Sequence, residues 1–193
     1  MNINKLEIFP TPIVVVDDFI SDQVRLDLLE KIKNLEHHSH GIFTGDGYGT
    51  YEYKHNNSFL DPHTLYEIEK LSNEYAKIRK IGDVKLHSYW SVIQRKGAIL
   101  KLHSHPECLI SGVLYVNVDE DSSNLYFENP NPFIHFQSSE KNNKYSIDRY
   151  CIEPKNNRLV LFPSWLMHGS DSTPNNTDFR VCISFNLTYN YDK

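Results

Sequence analysis

The hydrophobic pattern of this chain changes its period once, near Gly82, and that change limits the folds open to it. Before it, apolar residues recur at helical spacing in two segments. They predict an amphipathic helix over 22–36 and a second helix that begins at Asp61 and stops at Gly82. After it, residues 84–92 alternate between apolar and polar side chains, which is typical of a strand with one buried face.

More segments with strand character follow. They lie near 98–105, 110–118, 124–128, 145–152, 158–162 and 179–189, and a β-branched run at 8–16 precedes the first helix. Helices followed by about eight strands predict an α+β, mainly β fold. We expect a jelly roll with two N-terminal helices packed on one sheet. It would be a single domain over 1–193, helical in 1–82 and with its jelly-roll core in 83–193.

Composition narrows the partners and the compartment. The net charge of −5 makes a nucleic-acid partner unlikely. We find neither the run of about 18 apolar residues that a membrane span needs nor the features of a signal peptide. The 3 cysteines form no CxxC pair and suit reduced thiols, so we expect a cytoplasmic protein. The strand at 8–16, with its two prolines, suits a sheet edge and would allow a homodimer.

A pair of histidines lies in the segment Leu-His-Ser-His-Pro-Glu at 102–107. Residues two apart in a strand project to the same face, so His103 and His105 would point one way. Two imidazoles on one face can share a divalent metal ion. The other interpretation is a pair of exposed or hydrogen-bonded histidines without a ligand.

Two later segments add a third histidine and an arginine. His168 follows an apolar strand and a Pro-Ser-Trp turn, and Arg180 opens a strongly alternating strand. One face of that strand would be apolar and the other would carry Arg180, Cys182, Ser184 and Asn186. A guanidinium on the polar face of a core strand is costly to bury unless it meets an anion, and its planar fork fits a carboxylate. A packed histidine and an ordinary salt bridge are the alternatives.

Together these segments resemble the 2-oxoglutarate- and Fe(II)-dependent oxygenases, in particular a group of small, prolyl-hydroxylase-like members. The matching stretches are Phe-Pro-Thr-Pro at 9–12, His-Ser-His-Pro at 103–106, Ser-Gly-Val-Leu-Tyr at 111–115, Phe-Pro-Ser-Trp-Leu-Met-His at 162–168 and Arg-Val-Cys-Ile-Ser-Phe-Asn at 180–186. They come in the family order along nearly the whole chain.

The resemblance implies a double-stranded β-helix, the jelly roll of these enzymes. It implies that His103 and His168 are ligands of Fe(II), and that 2-oxoglutarate chelates the iron while its far carboxylate meets Arg180. Ser184 and Tyr115 are candidate hydrogen-bonding partners of the same co-substrate.

The chain departs from the family pattern at the third ligand. Where these oxygenases carry a carboxylate, this sequence has His105. Either His103, His105 and His168 form a three-histidine site, or the set shifts to His105, Glu107 and His168. We favour three histidines because Pro106 interrupts strand pairing before Glu107. Three neutral ligands also suit Zn(II).

The expected reaction is hydroxylation of an unidentified small-molecule or peptide substrate, with dioxygen consumed and 2-oxoglutarate decarboxylated to succinate. His103, His105, His168 and Arg180 are the candidate catalytic residues. One alternative is a jelly-roll protein that uses Zn(II) or another ion without 2-oxoglutarate, and another is a non-catalytic binding module. The segment 37–57 is a candidate lid or substrate wall and 129–143 is another candidate wall, with an ordinary surface loop as the alternative for both.

Overall fold

The computed structural model describes residues 3–4, 9–51, 58–131, 133–134, 147–170 and 174–191. Strands make up most of its regular structure, and two helices precede the longest strands. The helices are α1 (Asp22–Lys33) and α2 (Pro62–Arg79). The strands are β1 (Val14–Val16), β2 (His38–Ser39), β3 (Phe43–Thr44), β4 (Gly47–Gly49), β5 (Val84–Gln94), β6 (Ile99–Leu100), β7 (Ile110–Asn117), β8 (Leu125–Glu128), β9 (Arg149–Ile152), β10 (Leu159–Pro163), β11 (His168–Ser170) and β12 (Arg180–Tyr189).

The described strands form two main sheets that pack face to face. A seven-stranded sheet has the order β1-β10-β7-β12-β5-β4-β2, and a three-stranded sheet has the order β11-β8-β9. Side chains from both sheets, such as Tyr115, Phe127 and Phe162, share one buried apolar cluster. The short pair β3–β6 completes the strands. This arrangement is the double-stranded β-helix, or jelly roll, that the sequence predicts.

The two helices cover the outer face of the seven-stranded sheet. Leu28 and Ile32 of α1, and Ile68 and Tyr75 of α2, are buried in the same cluster as Leu114 of β7. The apolar stripes found in the sequence are therefore the faces that pack on the sheet. Neither helix combines the length and apolar character needed to cross a bilayer, a finding that covers the described residues.

The helix ends show which local signals were read correctly. Ser21 caps α1 and Asp61 caps α2, each accepting hydrogen bonds from backbone N–H groups of the first turn. The end of α2, however, was predicted wrongly. The helix ends at Lys80, which adopts the left-handed conformation with φ 56°, and not at Gly82. A lysine rarely serves as such a cap, so the sequence favoured the nearby glycine.

Most of the strand predictions are confirmed. The six strands β5, β7, β8, β9, β10 and β12 lie on predicted segments, whereas 98–105 contains only β6 and one isolated bridge. The run at 8–16 shortens to β1, at an edge of the large sheet, and 145–146 lie outside the described residues. Three short strands, β2, β3 and β4, lie in 37–50, where the sequence predicts no strand because two or three residues carry no recognisable alternation.

Gly112 of β7 gives a test of this packing. A β-carbon there would overlap the ring of Phe185 and lie 2.9 Å from Cδ2 of Leu161. Both neighbours are fully buried, so we expect Gly112→Ala to lower the free energy of unfolding by about 1–3 kcal/mol. Chemical denaturation measures the change, with Gly41→Ala as the control because no atom lies within 4 Å of its β-carbon. Equal stability of the two variants would contradict the packing described.

Candidate active site

A cavity of about 800 Å³ opens between the two main sheets. The polar face of β12 lines it with Arg180, Cys182, Ser184 and Asn186. The alternate residues of β12 (Val181, Ile183 and Phe185) lie in the core beneath the helices. The two-faced character predicted for this strand is thus confirmed.

Three histidines meet in the wall of this cavity. Ligand nitrogens of His103, His105 and His168 all lie within 4.8 Å of one another. Two reciprocal backbone hydrogen bonds of 2.9 Å join His103 and His168, and the backbone N–H of His105 donates to the carbonyl oxygen of Ser164 at 2.8 Å. These hydrogen bonds therefore fix the backbone position of each histidine.

The two histidines of the His-Ser-His segment do not share a strand face in the way we expected. Only His103 forms a bridge, and residues 104–105 have no regular strand structure. An irregular loop brings both imidazoles into the cavity instead. Glu107 is exposed and is not part of the cluster, so the structure does not bring the alternative set of His105, Glu107 and His168 together.

Hydrogen bonds at Nδ1 orient all three imidazoles. In His103 and His168, Nδ1 donates to the backbone carbonyl oxygen two residues earlier, at 2.8 Å in both cases. In His105, Nδ1 donates to Oδ1 of Asn186 at 2.6 Å. These oxygens only accept, so Nδ1 carries the proton and Nε2 of a neutral imidazole keeps its lone pair. Metal-ligating histidines usually show this arrangement.

Burial also favours the neutral form of these histidines. Removal from water lowers the pKa of His103 to about 4 and lowers the pKa of His105. The pKa of His168 falls well below its ordinary value for the same reason, with the neighbouring imidazoles adding to the effect. A metal ion would therefore not have to compete with protons at neutral pH. The donor set fits a divalent transition metal such as Fe(II).

Arg180 lies deeper in the same cavity and is 4% exposed. Its Nη1 donates to Oε1 of Gln94, its partner in the register of β12 and β5, and its Cζ lies 5.3 Å from the ring centroid of Tyr115. No aspartate or glutamate of the described residues forms an ion pair with it. The salt-bridge interpretation of Arg180 thus finds no partner in the described part of the chain.

Unsatisfied polar atoms surround this guanidinium. Nε of Arg180, Nε2 of Gln94 and Oη of Tyr115 are buried and make no hydrogen bond to any residue that the structure describes. All three can donate, because burial raises the pKa of Tyr115 and keeps its phenol protonated. A buried cation with three unused donors fits a carboxylate, such as one end of 2-oxoglutarate. Ser184 lines the same cavity and offers a hydroxyl group.

Sequence reasoning missed Gln94. A signal was present, because Gln94 continues the face of 84–92 that carries Trp90 and Val92, and all three line the cavity. A buried amide at the end of an apolar alternation marks a polar site. The 3 cysteines are free thiols, as expected, with Cys182 buried beside Arg180.

Aromatic side chains form the part of the cavity wall next to the three-histidine cluster. The ring centroid of Trp90 lies 5.9 Å from that of His105 and 4.9 Å from that of Tyr51. The segment 37–57 thus supplies part of the cavity wall, although its residues 52–57 lie outside the described residues. In 129–143, Phe133 is exposed and 135–143 are likewise outside the described part of the chain.

Solved structures share this fold. A prolyl-4-hydroxylase from Pseudomonas putida is 13% identical, with 92% of this chain and 93% of that chain covered and a TM-score of 0.64. A viral collagen prolyl hydroxylase from Paramecium Bursaria Chlorella virus-1, in complex with 2-oxoglutarate, is 14% identical over 91% and 94%, with a TM-score of 0.58. HygX from Streptomyces hygroscopicus, with nickel, 2-oxoglutarate and hygromycin B bound, is 11% identical over 94% and 84%, with a TM-score of 0.63.

The sequence comparisons point the same way. No curated protein matches the chain. The profile of the family described as "Putative 2OG-Fe(II) oxygenase" matches residues 88–186, which is just over half of the chain and contains all three histidines and Arg180. Fe(II) and 2-oxoglutarate, the groups that this cavity fits, are those of that family. The chain belongs to the 2-oxoglutarate- and Fe(II)-dependent oxygenases.

Proposed function

We propose that this protein is a hydroxylase that acts on a small-molecule or peptide substrate, with dioxygen and 2-oxoglutarate as co-substrates. The observation that carries the proposal is the pairing, in one cavity, of three converging imidazole nitrogens with a buried arginine that lacks an anion. Bound Fe(II) would supply the activation of dioxygen, coupled to decarboxylation of 2-oxoglutarate to succinate.

The histidines have the role of holding the metal. Each of the three imidazoles presents Nε2 to the metal position and carries its proton on Nδ1, in His103, His105 and His168 alike. Three neutral ligands leave the full charge of the ion uncompensated, so an anionic co-substrate is attracted more strongly than at a site with a carboxylate ligand. The ligand set thereby favours 2-oxoglutarate binding next to the metal.

Arg180 has the role of anchoring the far carboxylate of 2-oxoglutarate. Its fork can bind that group bidentately, while Tyr115 and Gln94 donate from the sides. The bond from Arg180 to Gln94 fixes the direction of the guanidinium before the co-substrate arrives. Ser184, on the same face of β12, is a further donor to the co-substrate.

Two kinds of substrate fit what is known of proteins with this fold. A solved structure of a Trichoplax adhaerens prolyl hydroxylase, with a TM-score of 0.51, contains a bound peptide fragment. The structure of HygX contains bound hygromycin B. Tyr51 and Trp90 would form the substrate wall, because they lie on the outer side of the metal cluster. A zinc protein without 2-oxoglutarate, or a non-catalytic module, would leave the unpaired Arg180 without a role and is not favoured.

The proposal is tested by turnover of 2-oxoglutarate. Protein reconstituted with Fe(II) in air is incubated with 2-oxoglutarate, and succinate is measured with and without proline-containing peptides and small metabolites. We expect slow succinate formation without a substrate and faster formation with the correct one. Zinc-loaded protein is the control and should form none. Equal succinate from the iron-loaded and zinc-loaded proteins under every condition would refute the proposal.

Three further expectations stay predictions. We take residues 1–193 as a single domain, with a helical part in 1–82 and the jelly-roll core in 83–193. A homodimer would form through the edge strand β1, and light scattering on a size-exclusion column tests it. The cytoplasm is the expected compartment, in keeping with the three free thiols.

A further inference from the structure

A buried network of polar side chains lies behind the three-histidine cluster and ends on His105. Oγ of Ser111 lies 2.7 Å from Oδ1 of Asn186, 2.9 Å from Oγ of Ser164 and 3.1 Å from Nδ1 of His105. Ser111, Ser164 and Asn186 are 1%, 0% and 5% exposed, so water does not replace these contacts. The network joins β7, the turn after β10, and β12 to one imidazole.

The donor and acceptor properties of these groups determine which atom donates in each hydrogen bond. Oδ1 of Asn186 is an amide oxygen and only accepts, so the 2.6 Å contact requires the proton to be on Nδ1 of His105. Ser111 has one hydroxyl proton and two acceptors within reach, Oδ1 of Asn186 and Oγ of Ser164. Only when it donates to Oδ1 does it hold that oxygen toward His105. With the amide turned over, Nδ2 would donate to Nδ1 instead. The imidazole proton would then lie on Nε2 and block the metal-binding lone pair.

His105 differs in this respect from the other two histidines. Nδ1 of His103 and of His168 donates to a backbone carbonyl oxygen, which no substitution removes. The tautomer of His105 depends on a side chain. It is therefore the ligand whose state a single substitution can change.

We propose that Asn186 is a positioning residue that holds His105 in the tautomer with Nε2 free for the metal, and that Ser111 and Ser164 hold the amide of Asn186 in the required orientation. This inference rests on the proposed function, because it takes His105 as a metal ligand. Neither serine touches the metal. Outer partners of this kind commonly change metal affinity by about 10- to 100-fold.

The test reads the tautomer directly. Long-range proton–nitrogen NMR correlations of the metal-free protein at neutral pH distinguish Nδ1–H from Nε2–H, with His105→Gln used to assign the signal. We expect Nδ1–H in the unchanged protein and in Asn186→Asp, which keeps an acceptor oxygen. Asn186→Leu, of similar size but without an acceptor, should show a mixture of tautomers. Its Co(II) dissociation constant should rise about 10- to 100-fold, and Asn186→Asp should restore it.

Further variants keep the inference falsifiable if the leucine is poorly tolerated. Ser111→Ala leaves the bond from His105 to Asn186 and should weaken Co(II) binding less than Asn186→Leu does. An Nε2–H tautomer in the unchanged protein would overturn the inference, as would Co(II) binding that is equal in Asn186→Asp and Asn186→Leu. These readouts use the metal alone. Failure of the oxygenase proposal would show instead as absent succinate formation by the unchanged protein.

Discussion

Replacement of Arg180 by alanine is expected to weaken 2-oxoglutarate binding by at least about 30-fold, since loss of one partner of a buried ionic pair costs about 2–5 kcal/mol. The guanidinium is buried, has no acidic partner among the described residues, and is surrounded by unused donors. The far carboxylate of the co-substrate would lose its only charged partner in the described cavity wall. Calorimetric titration of 2-oxoglutarate into oxygen-free, iron-loaded protein measures the change.

Two further variants sharpen this experiment. Arg180→Lys keeps a positive charge but loses the planar fork, so its dissociation constant should lie between those of the other two proteins. Arg149→Ala is the matched control, because Arg149 is exposed on β9 and lies outside the cavity. If Arg180→Ala binds 2-oxoglutarate as tightly as Arg149→Ala does, Arg180 is not the anchor.

Replacement of His168 by alanine is expected to abolish tight metal binding, with a loss greater than the roughly 100-fold that outer-shell changes produce. His168 is 4% exposed and is held beside His103 by two backbone hydrogen bonds, and among the described residues no fourth histidine, cysteine, aspartate or glutamate belongs to the cluster. Dialysis against Fe(II) or Co(II), followed by metal analysis, gives the bound amount. His87→Ala is the control, since His87 lines the cavity outside the cluster.

Glu107→Ala decides between the two ligand sets. Because Glu107 is exposed and outside the cluster, this change should leave metal affinity within about twofold, whereas His103→Ala should reduce it as His168→Ala does. Strong loss of metal in Glu107→Ala would favour the set of His105, Glu107 and His168. That result would also require the loop at 103–107 to rearrange when metal binds.

The parts of the fold that could be predicted are those where one face of an element is buried along its whole length. The alternation in β5 and β12 and the stripes of α1 and α2 report this burial directly. The strands β2, β3 and β4 have only two or three residues each, so their pairing depends on neighbours distant in sequence. The cap at Lys80 was likewise not predictable, because a lysine has none of the preference for the left-handed conformation that glycine has.

The site shows the same division between local and distant causes. His103, His105, His168 and Arg180 could be found from their residue types and order in the chain. His103 and His105 are neighbours in the site, as predicted, but they do not lie on a shared strand face. Backbone hydrogen bonds to residues 164 and 168 hold the loop at 103–105 instead. The alternation of β5 and β12 places Gln94 and Asn186 on the cavity faces of their strands. Their bonds to Arg180 and His105, however, depend on cross-strand register and on a buried network, which one sequence does not display.

The visible spectrum of the protein with Fe(II) and 2-oxoglutarate in the absence of oxygen tests the assigned site most directly. A metal-to-ligand charge-transfer band forms only when the co-substrate chelates the protein-bound iron. We expect this band in the unchanged protein, its loss in His168→Ala, and a need for more 2-oxoglutarate in Arg180→Ala. A protein that binds Fe(II) tightly but shows no band at saturating 2-oxoglutarate would contradict this assignment.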